Sequence, residues 1–413
     1  MSIQVCDTPN QASNIIYERA LNLEQPAFWG GVFAMTLCIF SLVSSEFMPV
    51  GLLTPLAADL SISEGLAGQG IAISGMFGVL TSLSISALAG GINRKIPLLT
   101  MTSLMLLSAL IIALSPNYVT YMTGRAFLGV AIGGFWSMSA ATAIRLVPKD
   151  QLPRALAIFN GGNALAIVVA APLGSYIGSL LGWRGAFFCL IPVSLIALIW
   201  QWRSLPDLHP EAHTQTVTNP FKLFKNQLVT LGMSAVGIFF MGQFALYTYV
   251  RPYLEAATHI SSTMLSIALL TIGLAGFVGA SLVGSIVQKI GVYQTLIAIP
   301  FLLSIIALLL ITFSDALIPV MVLLGLWGFV ATAAPVVWWM WLTNTIPDSA
   351  EVGGGLMVAV IQLAIALGSI LGGILFDLSG YQSTFMLSAV LLVIAAFLAL
   401  LSLRKANLYG KNN

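Results

Sequence analysis

Two ionisable side chains stand inside long apolar runs: Glu46 in "SLVSSEFMPVGLLTP" and Arg125 in "YMTGRAFLGVAIGG". An ionisable group at membrane depth is costly and is by default a functional site. A carboxylate there can take up and release a proton, because desolvation and a nearby guanidinium pull its protonation in opposite senses. Glu46 is the proton-carrier candidate and Arg125 its candidate partner. The structural alternative is that they only tie neighbouring helices together. Neutral polar groups are almost as sparse. Gln243 and Tyr247 lie at i and i+4, hence on one helix face, Asn160 and Asn163 form an i, i+3 pair, and Gln362 is a lone amide. These are candidate contacts for a polar solute, although such amides also cross-link helices at about 0.6 kcal/mol each. Trp136, Trp327, Trp338, Trp339 and Trp341 offer flat faces for stacking, whereas tryptophans near span ends serve as interface anchors. Trp327, in the middle of its run, is the preferred stacking candidate.

Other chemistries lack their residues. His209 and His213 flank Glu211 in a polar segment without further ligands at a suitable spacing, so no metal site is expected. Neither a G-x-x-x-x-G-K-[ST] phosphate loop nor an H-E-x-x-H signature occurs. No cofactor is implied, and the chain does not read as an enzyme. Cys6, Cys38 and Cys189 have no framework spacing, so structural disulfides are not expected.

The elements that position these groups follow from composition. Of 413 residues, 58% are hydrophobic and only 7% charged, too few charges to cover a soluble surface. Mean hydropathy is +0.98. Apolar runs of roughly 20 residues, the length that crosses ~30 Å of hydrocarbon, predict twelve spans. In the first half they lie at 28–55, 67–89, 96–114, 118–143, 155–181 and 185–203; in the second at 228–250, 263–287, 292–313, 316–343, 353–377 and 382–403. Glu46 is then about 27 Å along the first span at ~1.5 Å per residue, a depth comparable to that of Arg125. Of the 16 basic residues, Arg184 and Arg251 fall in loops on one side, Arg125 falls within a span, and all the others share the side of the termini. The positive-inside rule makes that side the cytosol. The expected layout is a cytosolic tail 1–27, a six-helix bundle 28–203, a cytosolic linker 204–227, a second bundle 228–403 and a cytosolic tail 404–413.

The halves repeat faintly. "LGSYIGSLLGWRGAF" at 173–187 aligns without gaps with "LGGILFDLSGYQSTF" at 371–385, and "EFMPVGLLTP" from Glu46 aligns with "QFALYTYVRP" from Gln243. Glu46 thus matches Gln243, and Pro55 matches Pro252. Repeats of this kind characterise transporters whose substrate site lies at mid-membrane between the halves. Gly174, Gly178 and Gly182, Gly129 and Gly133, and Gly368 and Gly372 recur every four residues, predicting smooth faces for close helix packing. Pro49, Pro55, Pro172 and Pro335 are expected to bend spans.

These residues resemble the major facilitator superfamily, within it the twelve-span drug and sugar proton-antiporter branch. "GRAFLGVAIGG" at 124–134 resembles the family's fourth-span pattern, with Arg125 as its intramembrane arginine. "AAPLGSYIG" at 170–178 resembles the fifth-span antiporter motif, keeping Pro172 and Gly174. "GSIVQKIG" at 284–291 resembles the second-half loop motif, with Gln288 and Lys289. The first-half loop motif, "AGGINRKIP" at 89–97, keeps Arg94 and Lys95 but has Asn93 where the family carries an aspartate. That aspartate helps latch the cytosolic side in the family, so the neutral amide puts a charge-based latch in doubt here.

The resemblance implies an all-α integral membrane protein of two pseudo-symmetric six-helix bundles, a multi-pass protein of the bacterial inner membrane. Several segments look most like exporters of purine ribonucleosides. The expected function is proton-coupled efflux of a small polar organic solute, purine ribonucleosides first and sugars or hydrophobic drugs as alternatives. An importer or a non-transporting receptor stands behind these. Protons, solute and membrane lipid are the expected partners, with no nucleic acid, and one copy encloses the site.

Overall fold

A computed structural model describes residues 27–89, 92–148, 150–208 and 220–411. Nine helices are long and apolar enough to cross a membrane among the described residues. Two of these, Leu152–Ser204 and the one within Ala350–Lys411, are of double length. Each is broken by one glycine with left-handed φ, Gly182 (φ 75°) and Gly380 (φ 77°), and so makes two crossings. The helix Tyr118–Leu146, diluted by Arg125 and Arg145, completes twelve spans.

In order, spans 1 to 4 are Trp29–Phe47, Glu64–Ala89, Lys95–Ala113 and Tyr118–Leu146, and spans 5 and 6 are the two arms of Leu152–Ser204. Spans 7 to 10 are Gln227–Tyr247, Ser262–Ile290, Val292–Thr312 and Leu317–Thr345; spans 11 and 12 are the arms of Ala350–Lys411. Side-chain caps start several of them: Asn117 accepts from Thr120 N, Asn226 from Leu228 N and Ser261 from Met264 N.

Two expected boundaries change. The first span does not run unbroken to residue 55. It ends at Phe47, passes through a 3-10 turn at Met48–Gly51 and resumes as a short helix Leu53–Leu60, because Pro49 lacks the N–H that would continue the α ladder. Gly182, assigned by its spacing to a packing face, is instead the hinge between spans 5 and 6, and a Cβ there would meet nothing within 4 Å. At φ 75° and ψ 165° the backbone is in a region open essentially to glycine alone. The other four-residue repeats do pack: Gly129 lies against the Ser74 carbonyl, Gly133 against Gly78, and Gly368 against Met241.

The duplication is visible in the backbone. Gly182 and Gly380, aligned in the repeat, share one conformation. The first and seventh spans both break and resume as a short helix, Leu53–Leu60 and Val250–Thr258, each with its aligned proline at the third position and each followed by a left-handed residue, Ser61 and His259. Spans 2 and 11, and spans 5 and 8, join the two halves. The tail 1–26, most of the linker including His209 and His213, and the last two residues lie outside the described residues.

Candidate functional site

The missing N–H of Pro49 organises the site. In an unbroken helix it would bond the carbonyl of Ser45, four residues earlier. Met48 N–H closes the last turn on Ser44, and the Ser45 carbonyl is left over. Arg125 takes it. Its Nη1 donates to Ser45 O at 2.8 Å, its Nη2 to Glu46 O at 3.3 Å and its Nε to Gly70 O at 2.8 Å. One fully buried guanidinium thereby joins spans 1, 2 and 4. The Ser74 hydroxyl, within 3.0 Å of Gly70 O and 2.9 Å of Arg125 O, binds spans 2 and 4 at the same level.

Glu46 and Arg125 therefore meet, but through the backbone of Glu46. No ion pair links the guanidinium to the Glu46 carboxylate. Glu46 is 4% exposed, and its Oε1 accepts a hydrogen bond from Gln362 Nε2 of span 11 at 3.3 Å. This bond crosses between the halves. Beside it Phe47 and Phe244, matched in the repeat, pack ring to ring with centroids 5.8 Å apart. Tyr247 stands edge-on to Phe244.

Among the sequence-predicted candidates, three buried polar atoms have no partner among the described residues: Gln362 Oε1 at this site, Gln243 Oε1, and Trp327 Nε1 in the second half. A bare buried polar group costs about 1–3 kcal/mol, and such atoms in a native protein call for an explanation. A polar solute is one. Trp327 itself is 1% exposed within the core of the second half, so its ring face is covered. Asn160 is exposed and Asn163 half-buried on span 5, and neither makes a side-chain hydrogen bond to a described residue. The structure thus gathers Glu46, Arg125 and Gln362, sets Tyr247 against Phe244 of the Phe47–Phe244 contact, and, among the described residues, forms no hydrogen bond from Gln243, the asparagines or Trp327 to them.

The motif residues have separate tasks. Pro172 is buried, and Gly174 lies against Met48, while the backbone of Ala171 meets Gly51 so closely that a Cβ there would clash. The fifth-span motif is the seat of the broken turn in span 1. Asn93 donates from Nδ2 to Asp207 Oδ1 at 3.0 Å and accepts from Lys95 N and Leu208 N at 3.1 and 2.9 Å. Arg94 N bonds Leu208 O, and Lys95 Nζ bonds Leu205 O. The loop therefore grips the segment after span 6. An aspartate at 93 would face the Asp207 carboxylate, which accounts for the neutral amide. Gln288 and Lys289 are exposed at the end of span 8.

A second cluster closes the end remote from the linker. Asp377 accepts from Ser63 Oγ at 2.6 Å and from Gly65 N at 3.0 Å, so a carboxylate of span 11 caps the start of span 2. Tyr249 OH reaches Gly65 O and Ser369 O. Arg251 donates to Gly51 O in the broken turn and pairs with Glu255. Ser266 bonds Ser175 between spans 8 and 5. All these cross-half bonds lie between mid-depth and this end. Sequence reading missed the Asp377 cap because its partners are 312 and 314 residues away. Its one signal was a carboxylate near a span end.

A duplicated twelve-span bundle with a buried polar site between its halves is the architecture of a secondary transporter. The profile of the Major Facilitator Superfamily matches residues 35–360 and 252–413, and the chain belongs to that family. It is a multi-pass membrane transporter and not an enzyme. It is 55% identical over 407 residues, 98% of each chain, to the transcription regulatory protein OpdE of Pseudomonas aeruginosa. It is 38% identical over 371 residues, 90% of this chain and 93% of the relative, to the purine ribonucleoside efflux pump NepI of Escherichia coli K12.

Proposed function

We propose that this chain is a proton-coupled exporter that exchanges external protons for a small polar organic solute, with purine ribonucleosides as the first candidates. The observation that carries this reading is the Glu46 carboxylate: it is buried at the junction of the halves and held by an amide of the opposite half rather than by an ion pair. A carboxylate so placed changes the bonding between halves when it gains a proton. The similarity to the purine ribonucleoside efflux pump of Escherichia coli supports the solute class. The fifth-span motif around Pro172 and Gly174 supports export.

The basic residues at the linker end support a cytosolic placement of that end in the bacterial inner membrane, with both termini inside and two bundles, 28–203 and 228–403, rocking about the site. The cross-half bonds of Asp377, Tyr249, Arg251 and Ser266 at the end remote from the linker support a state closed to the outside. One chain forms the complete site.

A second reading comes from the name of the Pseudomonas relative: an influence on transcription. The first 27 residues contain one basic residue, Arg19, and no basic patch of the kind that grips DNA. An exporter that sets the internal level of a regulatory solute would produce the same effect indirectly. Uptake of radiolabelled adenosine, inosine and guanosine into inside-out vesicles with an acid lumen tests the proposal. Accumulation that collapses with a protonophore is expected; equal uptake with and without the gradient would refute proton coupling.

A further inference from the structure

We propose that Gln362 is the switch that makes proton binding and solute binding mutually exclusive, and that the solute is held there through an N–H donor, which, unlike a hydroxyl, cannot also accept. The inference rests on the reading of Glu46 as the proton carrier. A charged carboxylate can only accept hydrogen bonds, so the amide beside it must present its nitrogen, as Gln362 Nε2 does at 3.3 Å. Its other end, Oε1, is then a buried acceptor without a partner. A solute that brings a donor satisfies it. Protonation gives Glu46 one O–H donor, and the Gln362 amide already in contact with it can offer Oε1 as the acceptor. Half a turn of the amide brings Oε1 to the acid and leaves Nε2 where Oε1 stood. The position that accepted a hydrogen bond now donates one, and a donor-bearing solute meets another donor.

The surroundings hold the backbone of Gln362 in place, so that an exchange of its amide ends needs only side-chain rotation. A Cβ on Gly75 would come within 2.7 Å of the Gln362 carbonyl, so spans 2 and 11 are in backbone contact at this level. Arg125 cannot relay the proton signal in the same way, because its described hydrogen bonds all go to backbone carbonyls. It is the charged residue of span 4 facing Glu46, with the phenol of Tyr121 next to it. Spans 2, 5, 7 and 11 have no charged residue in their middle thirds, and Tyr247 is the titratable group that span 7 brings near Phe47. Gln362 is thus the side chain whose hydrogen bond reaches the Glu46 carboxylate from the opposite half.

The test is calorimetric binding of adenosine, inosine and guanosine to the purified full chain between pH 5.5 and 8.5. In the wild type, affinity should fall about tenfold per pH unit on the acid side, as competition with one proton requires. Gln362→Met, similar in length but without hydrogen bonds, should bind at least tenfold more weakly at pH 8.5 with no pH slope. Gln362→Asn, which keeps an amide, should retain part of the slope. A Gln362→Met protein that keeps the wild-type slope overturns the switch, and so does a Gln362→Asn protein with none. Glu46→Gln should lose the slope; if it keeps it, the reading of Glu46 falls instead. If no nucleoside binds the wild type at pH 8.5, both fall.

Discussion

Replacing Arg125 by methionine tests the local logic of the site. The substitution keeps much of the side-chain volume and removes three hydrogen bonds, to Ser45 O, Glu46 O and Gly70 O. The three carbonyls do not suffer equally. Gly70 O retains the Ser74 hydroxyl at 3.0 Å, and the Glu46 contact is the longest of the set at 3.3 Å. Ser45 O loses the donor that stands in for the one Pro49 cannot provide. At about 1–3 kcal/mol for a carbonyl left bare, and about 0.6 kcal/mol for each ordinary helix-to-helix bond in a membrane, the loss should total about 2–4 kcal/mol. Arg125→Lys should recover little, since one ammonium cannot span three carbonyls on two helices. The diagnostic result is the double variant. Pro49→Ala restores a backbone N–H four residues after Ser45, so Pro49→Ala with Arg125→Met should be more stable than the sum of the two single effects predicts by about 1–2 kcal/mol. Unfolding in mild detergent, followed by tryptophan fluorescence, measures all four proteins. Strictly additive effects, or an Arg125→Met protein within about 0.5 kcal/mol of wild type, would refute the claim that Arg125 replaces the missing proline donor.

Three further outcomes follow from the same structure. Gly182→Ala and Gly380→Ala should each destabilise the protein by about 1–3 kcal/mol, because both positions hold a backbone region that side chains do not tolerate; thermal melts in detergent read this. Asn93→Asp should place two carboxylates against each other at Asp207 and loosen the loop by about 1 kcal/mol, an effect that salt should screen. Asp377→Ala should remove the cap on span 2 and open the end remote from the linker by about 1–2 kcal/mol. Spin labels at Leu60 and Leu378 would report that opening as a new, longer distance population.

Much of the architecture was legible because the bilayer imposes it. Apolar run length placed the spans, and a fifteen-residue alignment placed Gly182 opposite Gly380, which the structure shows in one conformation. What the sequence concealed was the break after Phe47: Pro49 was visible, but periodicity could not say whether a span bends or stops. The site was legible by residue type and not by partnership. Glu46 and Arg125 stood out as charges at depth, yet their contact runs through a carbonyl that only the proline explains. Gln362 and Glu46 are 316 residues apart, and no local pattern links them. Trp327 was singled out for its position in mid-span, but burial depends on neighbouring helices, and there its ring is covered.

The central claim is that Glu46 gives up its proton when solute binds. Purified protein in weak buffer near pH 6.5, mixed with a saturating purine ribonucleoside, should release up to about one proton per molecule bound. Glu46→Gln should bind the nucleoside without release. Equal proton release by wild type and Glu46→Gln would contradict the account.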